Sequence, residues 1–151
     1  MTIDIIIKYL HFLGILGVFS SIFYELIEIK SILPRAKVTT LAKIDGLYGL
    51  TTLIVLATGF TMWFWVGKPA EFYSDNLIFY TKIGIFTLVG LASIYPTVFF
   101  AKHKKGEPED MVNIPAGVII LIRLEMVLIL TLPLLATTMA RGIGNNGILT
   151  Y

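Results

Sequence analysis

Cysteine is absent from the 151-residue chain, so disulfides, thiolate metal sites and thiol chemistry are excluded. Charge is scarce. Asp, Glu, Lys and Arg make up 15% of the residues, where a soluble domain carries about 25%. Histidine occurs twice and the net charge is +2, a surplus too small to point to nucleic acid. No glycine-rich phosphate loop, nucleophile elbow or paired-histidine zinc motif occurs. The opening "MTIDIIIK" puts an acid before its single lysine, not a basic segment before an apolar core. The first apolar stretch is therefore expected to be retained rather than cleaved.

What the chain has instead is apolar length. Hydrophobic residues make up 56% of it, and the mean hydropathy is +0.84. Four windows are nearly free of charge: Ile3–Ile29, Ile44–Val66, Leu77–Ala101 and Ile114–Ala140. Each reaches the roughly 20 residues that an α-helix needs to cross a bilayer. Together they fill almost the whole chain, which predicts one all-α integral membrane domain over residues 1–151. Short connections make successive helices antiparallel neighbours, so an up-down-up-down four-helix bundle is expected.

Lysine and arginine set the expected orientation. The first connection holds Lys30, Arg35, Lys37 and Lys43, and the third holds Lys102, Lys104 and Lys105. The positive-inside rule places both in the cytoplasm and both termini outside, with the bacterial inner membrane as the implied location. Trp63, Trp65, Phe72, Tyr73 and Tyr80 crowd the second connection as an interfacial aromatic belt would. Pro34 is expected to break the chain after the first helix. Asn113 is expected to cap the fourth, with Pro115 in its first turn. Small residues alternating with large ones on the last three helices suggest close packing in lipid. The tail "RGIGNNGILTY" is expected to be mobile and extracytoplasmic.

A polar seam runs through this apolar chain. Alternate steps of three and four from Asp4 reach Ile7, His11, Gly14, Val18, Ser21, Glu25 and Glu28, one stripe of the first helix. Polar groups facing lipid are costly, so the stripe is expected to face the bundle interior. The second helix offers Asp45, Tyr48, Thr52, Gly59 and Met62 along a comparable face, and the third offers Lys82. By depth, His11, Met62 and Lys82 form one polar layer. Glu25, Asp45 and Tyr48 lie near the other end.

In "LIRLEMVLIL" an arginine and a glutamate interrupt an apolar run. Arg123 and Glu125 are two apart, so they point roughly 200° apart around the helix and need separate partners. The reading pairs Arg123 with Glu25, because a guanidinium fork suits a carboxylate. Glu125, with no cation at its depth, is expected to be protonated or bonded to Tyr48 or Thr52. Each of these residues also has a plainer role. An Arg–Glu pair can simply fix helix packing, a lone histidine is often a bonded core residue, Lys82 can snorkel and Met62 can be filler. His103, among lysines, is expected to be solvated.

The segments "DGLYGLTTLIVLATGF", "YSDNLIFYTKIGIFTLVGLASIYP" and "RLEMVLILTLPLLATTMARG" resemble an uncharacterised bacterial membrane-protein family, the domain of unknown function twenty-two fourteen. That family is distantly similar to HemJ, the membrane protoporphyrinogen oxidase that binds b-type haem. The resemblance rests on "YLH", "TKIGIFTLVGLASIY" and the arginine–acid pair. It implies His11 as a haem-iron ligand, Met62 or Lys82 as cofactor-binding residues, and Lys82, Arg123 and Glu125 as the residues of a catalytic site. Haem b would be the cofactor, with a porphyrin or quinone as electron partner. The chain departs from HemJ where Tyr95 is followed by Pro96 rather than histidine, so bis-histidine ligation within one monomer is excluded. Two other classes are expected to compete with this redox reading. One is a proton or ion relay through His11, Glu25, Arg123 and Glu125. The other is a structural subunit of a homo-oligomer or larger membrane complex.

Overall fold

The structure, a computed structural model, describes residues 2–144. Of the tail expected to be mobile, residues 141–144 are described and held by hydrogen bonds: Leu77 N donates to Gly144 O at 2.9 Å and Asn76 Nδ2 to Ile143 O at 3.1 Å. The rest lies outside the described residues. Four helices are long and apolar enough to cross a membrane: α1 (Thr2–Glu28), α2 (Arg35–Phe64), α4 (Leu77–His103) and α5 (Ala116–Ala140). A five-residue helix, α3 (Ala70–Ser74), sits in the second connection. Two three-residue strands, β1 (Ile32–Pro34) and β2 (Met111–Asn113), form an antiparallel ribbon. Around the bundle, α1 packs on α2 and α5, and α4 packs on α5 and α2. The expected four-helix antiparallel architecture is therefore present.

The helix ends differ from expectation in instructive ways. α2 starts at Arg35, nine residues before the apolar window, and its first turns carry Arg35, Lys37 and Lys43. Pro34 ends β1 and N-caps α2 with φ −63° and ψ 145°, since a proline fixes φ and needs no donor there. Asn113 does not cap α5. It pairs with Ile32 in the ribbon, and Pro115 takes the N-cap position. Asn76 does cap α4, accepting from Ile78 N at 2.9 Å.

The ribbon gathers the first and third connections at one end, which we call the basic end. Leu33 and Val112 face each other there and are buried. Arg35 closes the same end by donating to His103 O and Lys105 O, both at 2.9 Å. It also pairs with Asp110 at 3.4 Å. Gly106 makes this possible twice over. Its φ is +135°, and a Cβ there would meet Arg35 Nε at 2.7 Å. His103, expected to be solvated, is instead half-buried and stacked on Phe99 at 4.2 Å.

At the opposite end, the second connection packs as an aromatic cluster. Trp63 stacks on Phe64 and meets Phe79 edge-on, and Trp63 Nε1 donates to Ser74 Oγ at 3.1 Å. Close helix approach is found on α1 rather than on the later helices. A Cβ on Gly14 would lie 2.8 Å from Val55 Cγ2, and one on Gly17 would collide with the Thr51 side chain. Gly46, Gly49, Gly84 and Gly90 face open space.

Candidate functional site

The inward stripe of α1 forms as expected. Its buried residues are Gly14, Val18, Ser21, Ile22 and Glu25. Steps of three and four keep these positions on one side of the helix, while Phe12, Leu16, Phe23 and Ile27 face outward. From α2, the buried inward residues are Asp45, Tyr48, Thr51 and Thr58. Thr51 takes the fully buried place that the sequence reading gave to Thr52. From α5, Glu125 turns inward, with 1% of its surface exposed.

These residues converge on an acidic centre in the basic-end half of the bundle. Tyr48 Oη donates to Glu125 Oε2 at 3.0 Å, which selects Tyr48 from the two partners expected for Glu125. Thr97, one residue past the buried Pro96, donates to Asp45 Oδ1 at 2.8 Å. Glu25, 1% exposed, lies within electrostatic reach of both Asp45 and Glu125. Glu25 Oε1, Glu125 Oε1 and the Ser21 hydroxyl are buried without a hydrogen-bond partner. No lysine or arginine forms an ion pair with Glu25, Asp45 or Glu125 among the described residues. The three carboxyls also do not gather tightly enough, among the described residues, to hold a metal ion.

The expected Glu25–Arg123 pair is absent. Arg123 is exposed on the outer face of α5. The cause is the helical geometry that set the two charges apart: with Glu125 turned inward, a residue two positions away must point roughly 200° from it. Arg123 therefore leaves the buried network and the site assigned to it with Lys82 and Glu125.

The second polar layer lies toward the opposite end. His11 Nδ1 is 2.8 Å from Thr58 Oγ1, and the Thr58 hydroxyl donates to Ile54 O at 2.6 Å. With that single proton committed, Thr58 accepts from His11 Nδ1–H, and Nε2 is the free ring nitrogen. Lys82 from α4 lies within electrostatic reach of His11 and is half-buried, as is Met62. His11, Thr58 and Lys82, from α1, α2 and α4, thus lie together. Sequence reasoning missed Thr58 and Thr97. Thr58 had a legible signal, lying seven residues after Thr51 on the same helical face.

These residues leave no room for haem held between His11 and Met62. The His11 ring lies directly on α2, with its Cε1 3.6 Å from where a Cβ on Gly59 would be. Met62 is one turn further along that same helix, so no macrocycle can be sandwiched between the two. Gly14, expected to leave room for a flat ligand, is instead filled by Val55 and Ile54.

The model of a family described as "Predicted membrane protein (DUF2214)" matches residues 3–144, and the chain belongs to that family. No curated protein and no solved structure matches it.

Proposed function

We propose that this family member is a membrane-embedded proton relay, with the buried acid trio as its proton-holding centre. The observation that carries the reading is the trio itself. Glu25, Asp45 and Glu125 come from three different helices and lie within electrostatic reach of one another, with no ion-paired cation among the described residues. Three bare carboxylates in so dry a place would be prohibitively costly. Ionisable groups that persist inside membranes mark proton or ion pathways by default. The trio escapes that cost by holding protons, and a carboxyl that holds a proton in hydrogen-bond reach of Tyr48 can pass it on. Ser21 on α1 and Thr52 on α2 bear unpartnered buried hydroxyls between the trio and the His11–Thr58 pair. His11, with Nε2 free, is the group best suited to exchange a proton at the far end.

Liposomes with a trapped pH indicator and an imposed membrane potential test the relay. Proton flux is expected with the native chain, strongly reduced in Glu25→Gln and Glu125→Gln and slowed in His11→Ala. Undiminished flux in both glutamine variants would sink the reading. A Soret band that disappears in His11→Ala would replace it with the haem reading.

The basic end is proposed to face the cytoplasm of a bacterial inner membrane, which puts residues 2 and 144 outside. The support is the lysine and arginine gathered beside the ribbon. The cysteine-free chain makes the test direct. In intact cells an impermeant maleimide should label Lys68→Cys and spare Lys105→Cys, and the reverse pattern would invert the orientation.

A further inference from the structure

We propose that Arg123 binds the phosphate of an anionic lipid at the rim of the basic end. Inside the four apolar stretches, every other charge is accounted for among the described residues. Asp4 pairs with Lys8 and Glu28 with Lys37. Glu25, Asp45 and Glu125 are buried, and Lys82 is half-buried toward His11. Inside those four stretches and among the described residues, Arg123 alone is exposed with neither an ion pair nor a hydrogen bond, whereas the exposed Lys43 and Lys102 lie just outside them.

Its neighbours on that face are Ile120, Leu124 and Val127, all exposed, so the guanidinium rises from an apolar surface. Arg123 lies seven residues beyond Ala116, about 10 Å along the helix axis. Side chains on a helix lean toward its N-terminus, and the N-terminus of α5 lies at the basic end. The arginine therefore leans toward the interface, where its planar donor fork matches a phosphate.

A second copy of the chain is a poorer occupant. Within the four apolar stretches its carboxyls are either buried in its own centre or engaged by Lys8 and Lys37. The exposed acids Glu107 and Glu109 lie in the third connection, outside those stretches. Its lipid-facing surface offers Arg123 no free acid at matching depth. A lipid phosphate is the anion that is present at that depth around the whole molecule.

Native mass spectrometry of protein in detergent, with added phosphatidylglycerol or phosphatidylcholine, tests the site. The native chain should retain phosphatidylglycerol in preference to phosphatidylcholine. Arg123→Gln should lose that preference several-fold, and Arg123→Lys should keep part of it. Lys43→Gln, another exposed cation on the basic-end half, should change it little. Because Arg123 is exposed, these variants should all fold. Equal retention of phosphatidylglycerol by Arg123→Gln would overturn the proposal. So would displacement of the lipid by inorganic phosphate, or an Arg123-dependent second copy or carboxylate-bearing subunit that co-purifies in its place.

Discussion

The two halves of the bundle are both lined by long apolar helices, yet they are built differently. In the basic-end half the helices close around a core that includes Ile22, Val38, Leu41, Phe100, Val118 and Ile122. The ribbon and Arg35 seal its end. In the opposite half, α1 up to Leu13 and α4 up to Leu88 have no buried residue, and Thr58 and Met139 are the buried exceptions on α2 and α5. Their inward charges differ too. The closed half contains carboxyls with no cation, and the looser half contains Lys82 and His11 with no acid beside them. Hydrophobicity cannot create this difference, because lipid tails are as apolar as leucine and give helices no reason to associate. Close backbone approach and polar bonds create it, and both are concentrated on the basic-end side of Gly14.

That contrast can be broken most severely at Gly17. Gly17→Val drives a side chain into Thr51, and overpacking of this kind costs about 1–3 kcal/mol or more. Gly84→Val, in the looser half, meets nothing within 4 Å and should leave thermal unfolding in detergent nearly unchanged. Equal losses at the two sites would show that both halves are packed alike.

Tyr48→Phe should come next, at about 1–3 kcal/mol, because it leaves Glu125 buried without its donor. Adding Glu125→Gln should then cost less than the sum of the two single changes, as coupled partners require. The opposite result is expected for Glu25→Gln with Arg123→Gln. The two side chains share no contact, so their effects should add.

Arg35→Ala removes two carbonyl contacts at a partly exposed site. A loss of about 1–2 kcal/mol is expected, with faster proteolysis of the third connection as a second readout. The smallest effect is expected at Lys37. Its bond to Glu28 is solvent-exposed, so Lys37→Ala should leave the melting curve within error.

Much of this was legible in the sequence. The four spans follow from apolar length and the α1 face from one period of three and four, while Tyr48 was legible only as one of two candidate partners of Glu125, with Thr52. Arg123 was legible too, since a separation of two residues forbids it from sharing Glu125's face. The attraction of a charge pair overrode that geometry in the reading. Other features were not legible for physical reasons. The faces of α2 and α4 carry apolar residues on every side, so only single polar groups such as Thr97 and Thr58 mark their interiors. Strands of three residues, separated by the whole of α2 and α4, leave no periodic signal. The direct packing of His11 on α2 depends on Gly59, whose neighbour lies on another helix.

The ribbon also divides the chain in a way the helices alone do not show. α1 with α2 is one hairpin and α4 with α5 is another, and each contributes one strand from its own turn. The segment between Trp65 and Asp75 joins the two hairpins at the opposite end, where Ser74 accepts from Trp63 and Tyr73 packs against Phe79. A chain cut at Lys68 and produced as two pieces should reassemble in the membrane. Replacing Leu33 and Val112 with glycine should uncouple the pieces before it unfolds either one.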